Sequence, residues 1–219
     1  MRYLAQGVSV LLHPLFAPTY ALLLLLGVNP YLFGANALAE RWPLILLVFG
    51  SSALIPGLVI LMMVGLEMVP SLQARERESR TIPLIAVGML YLGLFSFCRT
   101  AGEVPVAYTA LVLGCVTGLF GAFFLNLFTK VSLHAVGMGG LVAAVFVTME
   151  LFAYDHLPLT LPGAVQLQMS LATVFCVVVL LAGLVGTARL LLRAHELEDV
   201  IGGYLVGFVA MGISVWAYI

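Results

Sequence analysis

Residues 167–191, LQMSLATVFCVVVLLAGLVGTARLL, and residues 200–218, VIGGYLVGFVAMGISVWAY, are two apolar runs joined by the short polar stretch Leu192-Arg193-Ala194-His195-Glu196-Leu197-Glu198-Asp199. A helix needs about 20 apolar residues to cross a hydrocarbon core, so the pair predicts an antiparallel transmembrane hairpin. Five more runs precede it, at about 5–28, 43–66, 82–98, 106–128 and 133–154. They are continuous rather than alternating, which excludes a β-barrel. The predicted fold is all-α: a polytopic transmembrane helical bundle of about six to seven spanning helices, forming a single integral membrane domain over residues 1–219.

Composition agrees. The chain is 63% hydrophobic and 9% charged, against about 25% charged in a soluble domain. A net charge of -1 leaves no global field to hold nucleic acid. The first run carries no small-residue cleavage pattern and reads as a retained membrane segment. His13, Pro14 and Pro18 within it predict a kink or a re-entrant stretch, because proline removes a helix hydrogen bond. Cys98, Cys115 and Cys176 lack the spacing of a metal or redox pair and read as packing residues.

If all seven runs cross, the N-terminus and the loops near 67–81, 129–132 and 192–199 share one side of the bilayer, here called the near side. Arg2, Arg75, Arg77, Arg80, Lys130, Arg189 and Arg193 fall there, against Arg41 and Arg99 on the far side. Trp42, Trp216, Tyr31, Tyr108, Tyr154 and Tyr218 sit at far-side segment ends, where an interfacial aromatic belt is expected. With Glu67, Glu76, Glu78, Glu196, Glu198 and Asp199, the near side collects thirteen of nineteen charged residues.

Three polar clusters mark the near-side ends: Arg75 to Pro83, Lys130 to His134, and Arg189 to Asp199. The second opens a helix and the third closes the next, so the hairpin brings His134 toward His195. His195 and Asp199 are four apart, which on a helix sets the carboxylate beside the imidazole. A carboxylate bound to one ring nitrogen fixes the tautomer and leaves the other nitrogen free to attack or to take a proton. Planar guanidinium groups match phosphoryl oxygens, so two histidines among several arginines predict a phosphate site. Arg189 lies six residues before His195 and would point elsewhere on an unbroken helix; a backbone break near 192–197 is expected.

Ala188-Arg189-x5-His195-x3-Asp199 resembles the third motif of the type 2 phosphatidic acid phosphatase superfamily, Ser-Arg-x5-His-x3-Asp, with three of its four named positions kept. Val131-Ser132-Leu133-His134 resembles the second motif, Pro-Ser-Gly-His, and Arg77, Arg80 and Pro83 stand where the first, Lys-x6-Arg-Pro, would be. With His13-Pro14 and Pro18-Thr19-Tyr20, the chain is similar to a short, divergent bacterial branch of that superfamily, with motif support over about residues 75–210. The resemblance implies a phosphatase needing no metal and no cofactor, in the bacterial cytoplasmic membrane, acting on a lipid mono- or diphosphate. His195 would form a phosphohistidine, Asp199 would orient it, and His134 would protonate the leaving group and then activate water. Arg189, Arg77, Arg80 and Ser132 would hold the phosphoryl oxygens. A non-catalytic lipid-phosphate binding or transport protein on the same scaffold is the alternative. The leaflet served, the oligomeric state and the lipid remain open at this stage.

Lys130, Asn126 and His13 are further candidates for the pocket. Glu150, in an apolar run, reads as a snorkelling far-side residue, and His156 has no visible partner. Gly137-Met138-Gly139-Gly140 and Gly202-Gly203 read as sites of close helix packing, since neither carries a phosphate-loop pattern.

Overall fold

The computed structural model describes residues 1–71, 76–152, 156–161 and 165–219. Arg75, Tyr154 and Asp155 lie outside the described residues. Among the described residues, seven helical segments are long and apolar enough to cross a membrane: Arg2–Val28, Pro30–Gly65, Glu78–Thr100, Val106–Asn126, Leu133–Leu151, Leu171–Leu191 and Leu197–Tyr218. The protein is an integral membrane helical bundle, with segment limits within a few residues of those expected except at the start of the second.

The first crossing is bent as its prolines require. Helix α1 (Arg2–Leu11) stops before His13, whose φ of −69° and ψ of 138° are those of a residue pushed out of the helical region by the following proline. A short turn, Pro14–Phe16, leads into α2 (Ala17–Val28). The second crossing comprises α3 (Trp42–Phe49) and α4 (Ile55–Gly65), joined by the wide helical turn Gly50–Leu54. Pro56 has no N–H for the Ser52 carbonyl, and the Tyr91 hydroxyl is shared between that carbonyl at 3.4 Å and the Leu15 carbonyl at 3.3 Å.

The remaining crossings are α5 (Thr81–Thr100), α6 (Val106–Asn126), α7 (Leu133–Val147), α8 (Leu171–Leu191) and α9 (Leu197–Tyr218). Helix α9 lies against both α6 and α7, and α8 packs on α7 and α1. Glycines make the α7/α9 approach close. A Cβ on Gly203 would stand 2.7 Å from the Ser132 carbonyl oxygen and 2.8 Å from Ala135 Cβ, and one on Gly207 would strike the Val136 carbonyl, whereas Gly202 faces open space. Of the two adjacent glycines, therefore, Gly203 alone serves packing.

Two expectations need correction. Residues 167–170 are not helical: β1 (His156–Leu161) and β2 (Val165–Ser170) form an antiparallel ribbon on the far side, with His156 opposite Ser170. The sequence there alternates, with Leu157, Leu159, Leu161 and then Val165, Leu167, Met169, a period of two that the surrounding apolar runs conceal. Tyr108 does not join an interfacial belt. It is fully buried, and its hydroxyl donates to the Pro18 carbonyl at 3.1 Å, because α2 covers this end of α6. Trp42 and Trp216 do remain exposed at the far side.

Candidate active site

Helix α8 ends in a reversal that no glycine makes. Arg193 adopts a left-handed φ of 50°, the Arg193 N–H bonds to the Leu190 carbonyl at 2.9 Å, and the Ala194 N–H bonds to the Arg189 carbonyl at 3.1 Å. These are the paired bonds by which a left-handed residue closes a helix. The break falls inside the expected window 192–197, and it turns His195 back over the end of α8 that carries Arg189.

Helix α9 then begins with a reciprocal cap. The Glu196 side chain takes a backbone N–H of the first turn, and Asp199 Oδ2 accepts the Glu196 N–H at 3.2 Å. The same oxygen lies 3.1 Å from His195 Nδ1. A carboxylate only accepts, so Nδ1 carries the proton and Nε2 holds the lone pair. The His195 side chain is 2% exposed. Burial, followed by the nearby Arg80 guanidinium, pulls this imidazole down to about 4 against the supporting bond to Asp199, with Arg189 and Lys130 acting in the same downward sense.

The loop between α6 and α7 is tied to this turn. Lys130 Nζ donates to the Ala194 carbonyl at 3.0 Å, and the Ser132 N–H donates to the Asp199 carbonyl at 3.1 Å. Ser132 Oγ accepts the Ala135 N–H, so this side chain caps α7. The segment before α5 is tied to the same loop: Arg77 donates to the Phe128 carbonyl at 2.9 Å, Asn126 Nδ2 to the Arg77 carbonyl at 3.0 Å, and Arg80 to the Val131 carbonyl at 2.9 Å. All three near-side clusters therefore meet.

They meet around one cavity of about 180 Å³. His13, Arg80, His134, Arg189 and His195 line its near-side end, and among the described residues no Asp or Glu joins the lining. Arg80 is buried, and Arg189 stands close enough to His13, His134 and His195 to act on all three electrostatically. Arg189 Nε is buried without a hydrogen-bond partner among the described residues, an arrangement costly for a charged donor unless an anion meets it.

The other candidates stand apart from the cavity lining. Arg77 pairs with Glu78 at 3.2 Å on a partly exposed surface, and Asn126, Lys130 and Ser132 act as stitches and caps. Arg77 and Ser132, expected among the phosphate ligands, lie outside that lining: Arg77 binds Glu78 and the Phe128 carbonyl, and Ser132 Oγ accepts the Ala135 N–H.

His13 does reach the site. Its ring meets that of His134 edge to face, with centroids 5.0 Å apart, and its Nδ1 accepts the Leu15 N–H at 3.3 Å. His134 Nε2 donates to the Ser9 carbonyl at 2.9 Å, leaving Nδ1 for chemistry. Ser9 was not legible as a site residue, because its contribution is a backbone carbonyl that any residue type carries. Among the described residues, no group of three His, Cys, Asp or Glu side chains is placed to hold a metal ion. No family model, curated protein or solved structure matches the chain, and the chemistry of the site is drawn from its own residues.

Proposed function

We propose that this protein is a membrane-embedded lipid phosphate phosphatase that works through a phosphohistidine. The observation that carries the proposal is the near-side end of the cavity, where Arg189, its buried Nε without a hydrogen-bond partner among the described residues, and Arg80 stand beside an imidazole oriented by Asp199.

In this reading Arg189 and Arg80 hold the phosphoryl oxygens and offset the charge that spreads over them as the phosphorus becomes five-coordinate. Neutral His195 attacks through Nε2, forming the N–P bond as the bond from phosphorus to the leaving oxygen breaks. Asp199 steadies the positive charge on the ring. His134, with the Ser9 carbonyl on Nε2–H, takes up a proton at Nδ1 as the anionic phosphate binds beside it and gives that proton to the leaving oxygen. The neutral His134 then takes a proton from water. The resulting hydroxide attacks phosphorus, the N–P bond breaks, and inorganic phosphate leaves with His195 restored. Placement in the bacterial cytoplasmic membrane and a lipid mono- or diphosphate substrate belong to the same proposal.

The test is phosphate release by purified full-length protein from lipid mono- and diphosphates, with and without chelator. Release is expected, and His195→Ala should abolish it while helix content and melting temperature hold. Unchanged turnover in that variant overturns the mechanism. Binding of lipid phosphates without release would instead assign the site to carriage.

A further inference from the structure

The polar end accounts for only part of the cavity. The rest is an apolar arm running away from it between α2, α5, α6, α7 and α9. Its deepest lining residues on four of these helices are Tyr91, Gly114, Ala144 and Met211. They stand ten to fourteen residues from the near-side ends of their helices. At about 1.5 Å per residue, four helices independently place the floor roughly 15–21 Å from the polar end, a little over half of a hydrocarbon core about 30 Å thick.

We propose that this arm is a slot for one hydrocarbon chain, and that the ligand is a lipid phosphate with a single tail. The inference rests on the phosphate-site reading above and names the class of lipid. Its length suits a tail that descends through one leaflet. Its volume leaves no room for a second chain: the whole cavity is about 180 Å³, little more than the roughly 150 Å³ apolar cavity that one benzene ring occupies. Arg189 Nε and the His195 ring are buried, so a phosphate touching them is enclosed, and the branch point of a two-tailed lipid would lie inside the protein with room for one tail only. A tail moving from bilayer to slot changes one apolar surrounding for another. The slot is therefore a filter of shape and contributes little to overall affinity.

The test uses the full chain in zwitterionic phospholipid nanodiscs. Binding of single-tailed alkyl or prenyl phosphates is compared with two-tailed phosphatidic acid at equal surface fraction, alongside inorganic phosphate, while phosphate release is followed separately. Single-tailed ligands should bind at least about tenfold tighter than two-tailed ones, with preference falling once the tail outgrows one leaflet. Ala144→Leu, at the floor, should move that limit to shorter tails; if the variant misfolds, the wild-type ligand series decides alone. Equal binding of one- and two-tailed ligands, or a floor variant that folds yet leaves the length limit in place, overturns the slot. Selective binding without release leaves the slot standing and removes hydrolysis; release without tail selectivity does the reverse.

Discussion

His195 Nδ1 and Asp199 Oδ2 stand 3.1 Å apart, and the same Asp199 oxygen accepts the Glu196 N–H that opens α9. One atom thus orients the imidazole and finishes the helix. Asp199→Ala should remove both roles, cutting phosphate release by about 100-fold or more and destabilising the protein by about 1 kcal/mol through the lost cap. Asp199→Asn separates them. The amide oxygen still accepts at the cap, while the charge that supports the ring is gone. Release should fall with little change in melting temperature, measured side by side on both variants.

The three arginines of the motif regions divide by burial. Arg80 and Arg189 line the cavity, whereas Arg77 is partly exposed and held by Glu78 and Phe128. Arg189→Gln should weaken lipid-phosphate binding by about 100-fold, the scale of a charged donor lost from a buried anion site, and Arg189→Lys should recover only part of it because the fork is missing. Arg77→Ala removes an exposed pair worth at most about 1 kcal/mol. Its affinity for lipid phosphate should stay within about threefold of wild type.

Protonation of His195 is set by burial first and by Arg80 next. A ring-specific NMR titration should find His195 titrating near 4, and Arg80→Gln should move the midpoint up toward the ordinary value of about 6.5. The effect on stability has a definite sign. Between about pH 6.5 and 4 the unfolded chain takes up the proton while the folded ring does not, so stability is lost as pH falls through that window and is level above it. His195→Gln should flatten this part of the unfolding profile.

Neighbouring glycines on α9 should respond in opposite ways. Gly203→Ala forces a Cβ against the Ser132 carbonyl and Ala135, which should cost about 1–3 kcal/mol and disturb the Ser132 to Asp199 bond that joins the two loops. Gly202→Ala meets open space and should be neutral or stabilising by up to about 1 kcal/mol, since alanine is the better helix former. Thermal unfolding of the two single variants checks the pair.

Legibility followed the length scale of the physics. Crossings were plain because each needs an unbroken apolar run, and the bend at His13 followed from Pro14 alone. The pairing of His195 with Asp199 was readable from their spacing on one helix face, and the break before it from the six-residue offset of Arg189. The ribbon at 156–170 was hidden because its six-residue alternation borders long apolar runs on both sides. Arg77 and Ser132 carried the right chemistry for phosphate, while their bonds to the Phe128 carbonyl and the Ala135 N–H depend on how loops meet and left no mark in the sequence. Ser9 left no trace at all in residue type.

The reversal at Arg193 has a consequence for how the protein is made. His195 and Asp199, the nucleophile and orienting carboxylate of the proposed mechanism, lie beyond it at the start of α9, whereas Ser9 and His13 leave the ribosome well before them. A chain inserted as far as α8 already holds Arg80, His134 and Arg189 in the bilayer, yet has no His195. Under the proposed mechanism competence would arrive in one step, when α9 settles against α6 and α7, and a chain cut before α9 would keep Arg80 and Arg189 but lack the proposed nucleophile.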